Sequence, residues 1–280
     1  MGIYRSSPRI YENGKDPRNV AEGLTDLGVV YFELGNCDFA LGHFERAFRL
    51  AEKIGYEAVM ANVLNNLSVI SAVQGYLDRA VLHGQDCLAR YGKLQDRFGL
   101  AQAYNNLGMV YLEKRASQNA LDCFEKGLHV SHRLESCALV ATIYVNKADY
   151  NLRRSDFRAA SHFCELASGL YRQLGDYRGI AETEKIFGLI AFSSGDPQRA
   201  RALLEHALEL TKRHGTYYAL AEVYRELGSF YRKKGYRRKA YAALSTAFSS
   251  FEQLGSKKKA GQIKSELYQL HKSRRFKKDA

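Results

Sequence analysis

A strict 40-residue period constrains this chain more than any other feature. Alanine returns at Ala21, Ala61, Ala101, Ala141, Ala181 and Ala221, and again at Ala40, Ala80, Ala120, Ala160, Ala200 and Ala240. A third ladder is small or nearly so, at Gly28, Ser68, Gly108, Ala148, Gly188 and Gly228. A fourth runs through Ala47, Cys87, Gly127, Ala167, Ala207 and Ala247 in the same register, with no insertion or deletion. Self-similarity of this length marks a repeat array, in which each unit buries its apolar face only against its neighbours.

Each unit reads as two helices. In the first unit, Leu24, Leu27, Gly28, Tyr31 and Leu34 fall at helical spacing. Gly35 is placed to stop that helix as a left-handed cap, with Gly75, Gly195 and Gly235 in the same place further on. Asp38 or a polar neighbour opens the second helix, whose apolar stripe is Ala40, Leu41, Phe44, Ala47, Phe48 and Ala51. Gly55, Gly175, Gly215 and Gly255 are expected to end the second helices. Only Pro8, Pro17 and Pro197 could break helices. The expected organisation is a lead-in at 1–16, six units (17–56, 57–96, 97–136, 137–176, 177–216 and 217–256), a capping helix at 257–272 and a basic tail at 273–280. The lead-in reads either as an irregular start or as the remnant of a preceding helix.

Three runs carry a family resemblance: Leu27-Gly28-x-x-Tyr31 with Ala40, Phe44 and Ala47; Leu107-Gly108-x-x-Tyr111 with Ala120 and Phe124; and Leu227-Gly228-x-x-Tyr231 with Ala240 and Ala247. On these residues the chain resembles the tetratricopeptide repeats, in a 40-residue class similar to the Leu-Gly-Asn-repeat adaptors and to bacterial regulatory proteins of the family. The family's usual Trp is absent, and Leu24, Leu64, Tyr104, Tyr144 and Tyr224 stand in its place. The resemblance implies an all-α fold, a right-handed superhelical solenoid of antiparallel helix pairs. It also implies a scaffold or adaptor that holds a peptide or partner domain, with the first helix of each repeat lining a concave groove.

By position, that groove takes Glu22, Thr25, Asp26 and Glu33 from the first repeat, and Asn62, Asn65 and Asn66 from the second. The third supplies Gln102, Asn105, Asn106 and Met109, and the fourth Asn146, Asp149 and Arg153. Glu182, Lys185 and Phe192 follow in the fifth, and Glu222, Arg225, Arg232 and Lys233 in the sixth. Mid-helix asparagines bring no local benefit, because their side chains compete for backbone groups. Their carboxamides either meet an extended peptide or bond the adjacent repeat, and both readings stay open.

The formal net charge of +12 is uneven. Residues 211–280 hold 18 Lys/Arg against 5 Asp/Glu, and the rest of the chain is near neutral. Two basic runs, Arg232-Lys233-Lys234 with Arg237-Arg238-Lys239, and Lys257-Lys258-Lys259, are read together as a basic patch. It reads as a solvated cap or, alternatively, as an electrostatic docking surface for nucleic acid or an anionic membrane. A further alternative makes the chain the sensor or regulatory part of a larger signalling protein.

Catalytic chemistry finds no foothold in the sequence. No phosphate-cradling glycine loop, HExxH or GxSxG run occurs. The five cysteines show no CxxC spacing, and His129 with His132 is too little for a metal site. No enzyme activity, cofactor or metal is expected, and the cysteines are read as reduced and mostly buried in a cytoplasmic protein. The start Met1-Gly2-Ile3-Tyr4-Arg5-Ser6 fits the template for lipidation at Gly2.

Overall fold

The computed structural model describes residues 16–275, with side chains to residue 272. The lead-in up to residue 15, the Gly2 motif and the end of the tail lie outside the described residues. Thirteen α-helices and no strand occupy the described residues. They are α1 (Pro17–Glu33), α2 (Cys37–Ile54), α3 (Glu57–Gln74), α4 (Leu77–Leu94), α5 (Arg97–Glu113) and α6 (Ser117–Arg133). Then come α7 (Cys137–Arg153), α8 (Phe157–Leu174), α9 (Tyr177–Ser193), α10 (Pro197–His214), α11 (Tyr217–Lys233), α12 (Arg237–Gln253) and α13 (Lys257–Arg275). No described helix is long and apolar enough to cross a membrane.

The links between helices are two or three residues long, so within each unit successive helices fold back on one another. Their geometry is nearly uniform. Gly35 adopts φ +80°, donating its N–H to the Phe32 carbonyl at 2.9 Å, and Asn36 N–H reaches the Tyr31 carbonyl at 2.8 Å. This double closure satisfies carbonyls that the helix end would leave bare. The same closure recurs at every link except the one at Gly215. Gly215 is extended at φ −80°, ψ 170°, and its helix is followed instead by Thr216, whose hydroxyl accepts from Ala219 N–H at 3.2 Å. Gly215 thus ends its helix as expected, but in an extended conformation rather than the left-handed one of Gly55, Gly175 and Gly255. Four links lack glycine altogether. There Gln95, Arg115, Glu135 and Ser155 hold positive φ between 51° and 61°. For such side chains the left-handed region costs about 1–2 kcal/mol each, which the two closing hydrogen bonds offset.

Packing follows two complementary pairings. Residues 28, 68, 108, 148, 188 and 228 each meet the residue sixteen positions on, across the hairpin. Where the first is glycine the second is large: a Cβ at Gly28 would lie 2.5 Å from Phe44, at Gly108 2.5 Å from Phe124, and at Gly228 2.6 Å from Leu244. Where the first grows, the second shrinks, giving Ser68 with Gly84 and Ala148 with Cys164. Ser68 Oγ also donates to the Ala80 carbonyl at 2.7 Å. The second pairing joins one repeat to the next. Tyr91 lies on Gly99 and Tyr171 on Gly179, where added Cβ atoms would come within 2.3 and 2.2 Å of the rings. Volume is conserved pair by pair, as a densely packed interior requires. Each fully buried Phe44, Phe124 or Leu244 contributes about 1.5–3 kcal/mol of burial.

The described residues divide into two compact units, 16–139 and 140–275. In the first, the core runs from Ala21 and Phe44 to Leu107, Val110 and Cys123. In the second, one cluster joins Ala141, Ala148, Cys164, Tyr171 and Ile186, and another joins Leu204, Leu227, Phe230 and Tyr231.

Candidate functional site

The first helices of the repeats carry the polar residues singled out by position. In the first unit these are α1, α3 and α5, which pack side by side. Asn62, Asn65 and Asn66 occupy α3, and Gln102, Asn105 and Asn106 occupy the same repeat positions of α5. Asn106 Nδ2 donates to Asn65 Oδ1 at 3.1 Å, which ties the two repeats together. Asn66 Nδ2 donates to the Asn62 carbonyl at 2.9 Å, and Asn62 Oδ1 accepts from the Tyr91 hydroxyl at 2.6 Å. Asn105 is buried and lies 3.4 Å from Asn106 Oδ1. Neighbour bonding is thus realised for Asn65 and Asn106. The carboxamides of Asn65, Asn66 and Asn106 offer hydrogens and lone pairs beyond the bonds named, since each has two of both.

On α1, Glu22 and Asp26 stand one turn apart and are both exposed. Partial burial and the neighbouring Glu22 charge raise the Asp26 carboxyl above its ordinary range. Tyr56 donates its hydroxyl to Glu22 at 2.5 Å. Thr25, also expected at this face, is buried, and its hydroxyl donates to the Ala21 carbonyl at 2.9 Å.

In the second unit, α9 and α11 present charges where α3 and α5 present amides. Glu222 on α11 is 8% exposed. It pairs with Arg225 at 2.6 Å and with Lys259 of α13 at 2.6 Å, while Arg225 also reaches Glu226 at 2.5 Å. Lys259 touches the Tyr218 hydroxyl at 2.5 Å, and Lys185 of α9 pairs with Glu182. Burial alone would raise the Glu222 carboxyl. Arg225, Lys259 and Lys185 overcome burial and hold it far below the usual carboxylate range. On Lys185, burial works to lower the ammonium, and Glu182 and Glu222 outweigh it to leave it raised. At the margins, Arg153 pairs with Asp149 at 2.9 Å and Arg232 with Glu266 at 3.0 Å. Asn146 is half-buried on α7. Lys185, Arg225 and Arg232, read as groove cations, thus take part in internal ion pairs.

The single basic patch divides in space. Lys233, Lys234, Arg237, Arg238 and Lys239 surround the α11–α12 link, where Arg237 and Arg238 also face Leu270 and His271 of α13. Lys257 and Lys258 open α13 at the other end of the helix pair. That separation is one 17-residue helix, about 25 Å. Lys259 joins the ion network and is not part of an exposed patch.

Position-by-position reasoning missed the tyrosine struts. Tyr91 reaches Asn62, and Tyr171 reaches Thr142 Oγ1 at 3.2 Å. Their signal was present as a recurrence of Tyr-plus-Gly at twice the repeat length, Tyr91/Gly99 and Tyr171/Gly179. Among the described residues no group of three His, Cys, Asp or Glu could hold a metal ion. Cys37, Cys87, Cys123 and Cys164 are buried free thiols and Cys137 is exposed. Burial pushes Cys37 and Cys123 up to about 11 and Cys87 to about 12.

Comparison with known proteins agrees with this architecture. Two family models described as tetratricopeptide repeat match residues 139–213 and 101–130. Regulatory protein RapG of Bacillus subtilis is 24% identical over 129 residues, covering 46% of this chain and 35% of that protein. Response regulator aspartate phosphatase E of the same organism is 30% identical over 100 residues, covering 35% and 26%. The matched stretch therefore spans about a third or less of these relatives. Among solved structures, the Rap conjugation gene regulator of plasmid pLS20, in complex with the Phr* peptide, superposes with a TM-score of 0.74 at 18% identity. That superposition covers 90% of this chain and 68% of the other. The apo form of RapI superposes with a TM-score of 0.69 at 14% identity, covering 90% of each chain. The 40-residue ladders, the helix pairs they fold into and the matching models agree: the chain carries tetratricopeptide repeats over residues 101–130 and 139–213, within an array of helix pairs similar in fold to these structures.

Proposed function

We propose that this chain is a recognition array that binds an extended peptide segment of a partner along α1, α3 and α5. One observation carries the reading: neutral amides stand at the same positions of α3 and α5, beside the Glu22–Asp26 pair of α1. Carboxamides both donate and accept, which suits a peptide backbone whose groups alternate. Two carboxylates one turn apart repel each other, and a cationic group on the ligand relieves that repulsion. The preferred ligand is an extended peptide whose cationic end meets α1. One solved relative in fold is a complex with the Phr* peptide, which supports a peptide as the ligand class. One relative is named an aspartate phosphatase; we assign no catalytic residue to this chain.

Fluorescence polarisation against a library of short labelled peptides tests the reading. Saturable binding is expected, with preference for a cationic end. Asp26→Asn should remove that preference, and Gln102→Ala should weaken binding about tenfold with the melting temperature unchanged. A library in which no peptide saturates the chain sinks the proposal.

A further inference from the structure

We propose that the cleft between the start of α12 and the last turns of α13 docks a single strand of nucleic acid. The cleft measures about 590 Å³ and is lined by Arg237, Arg238, Tyr241, Leu270 and His271. Beside it, Lys233 and Lys234 stand 5.2 and 5.7 Å from the centre of the Phe192 ring, and Lys239 stands 5.4 Å from that of Tyr231. The rings hold the lysine stems in place while the residues stay exposed. Among the described residues, Lys233, Lys234, Arg238 and Lys239 make no ion pair, whereas Arg232 is held by Glu266.

These cations stand where a folded chain gains least from them. The first turn of α12 carries no acid, and Tyr236 before it supplies no side-chain acceptor. The helix dipole already makes that end positive, so the Arg238 guanidinium adds to an unfavourable local field. An external anion removes the conflict. The cations run past the cleft along the α11–α12 link, a wider spread than one phosphate group needs, and this fits a chain of phosphates. Tyr236 and Tyr241 lie among them, 51% and 55% exposed. Exposed ring faces offer stacking to unpaired bases, which neither a duplex, a lipid headgroup nor an acidic peptide supplies.

The test is fluorescence anisotropy of the full chain with a labelled oligo-dT of about 15 nucleotides. Saturable binding is expected, with a log–log salt slope of roughly −0.7 per phosphate engaged. Lys234→Ala with Arg238→Ala should weaken binding about tenfold. Tyr241→Ala should weaken it about tenfold without changing the slope, and Tyr241→Phe should restore it. Lys257→Ala with Lys258→Ala, at the far end of the helix pair, should leave affinity unaltered. The proposal is overturned by absence of binding at low salt, by equal competition from a poly-glutamate peptide or anionic vesicles, or by an inert Tyr241→Ala. Equal losses from the two cation pairs overturn it as well.

Discussion

The two units solve the same packing problem with opposite polar chemistry on their first helices. In the first unit, the row across α3 and α5 is uncharged, and its cross-repeat bond joins two neutral amides, Asn106 and Asn65. In the second, α9, α11 and α13 carry Lys185, Glu222, Arg225 and Lys259, and the link between α11 and α13 runs through Glu222. A neutral amide bond contributes about 1 kcal/mol and responds weakly to conditions. A buried ion cluster is nearly balanced when complete and expensive to break, because any lost partner leaves a desolvated charge behind. The first arrangement leaves hydrogen-bonding capacity open to a ligand. The second uses its charges on itself.

The largest expected effect is on Glu222. Glu222→Ala leaves Arg225 and Lys259 without their shared carboxylate and should destabilise the second unit by about 3 kcal/mol. Hydrogen exchange read separately over residues 16–139 and 140–272 checks this, and an equal response in both ranges would erase the contrast. Acid comes next. The Glu222 carboxyl is depressed in the fold, so its contribution is present above the unfolded value of about 4.3 and lost as pH falls below it. By pH 3 the loss should be on the order of 2 kcal/mol. Asp26 in the first unit is raised, so its protonation favours the fold as pH falls. Acid should therefore open the second unit before the first; the reverse order in a pH-jump exchange series would refute the assignment. Smallest is the amide bond. Asn106→Ala should cost about 1 kcal/mol with no pH dependence near neutrality, and Asn66→Ala, whose partner is its own helix backbone, should cost close to nothing. Parity between these two variants in thermal melts would mean that the Asn106–Asn65 bond adds nothing to stacking.

Much of the architecture was readable from residues alone. Helices begin at Pro17, Glu57, Arg97, Cys137, Tyr177 and Tyr217, forty residues apart, because small residues and stop signals act locally and repeat with the chain. The stops at Gln95, Arg115, Glu135 and Ser155 were not readable, since those residue types disfavour the left-handed backbone they adopt. There, the closing hydrogen bonds impose the turn.

The polar face divides in the same way. Side-chain type and helix position could be assigned to Asn62, Asn106, Lys185 or Lys259 from spacing, because spacing sets which side of a helix a residue occupies. Their partners could not. Asn65 and Asn106 are 41 residues apart and Glu222 and Lys259 are 37 apart. A hydrogen bond or ion pair forms only within about 3 Å, and at such separations only the stacking of one helix pair on the next decides which polar groups meet. The same stacking drew Arg237 and Arg238 toward Leu270 and His271 and left Lys257 a helix length away. Proximity in the chain had made one patch of groups that the fold holds apart.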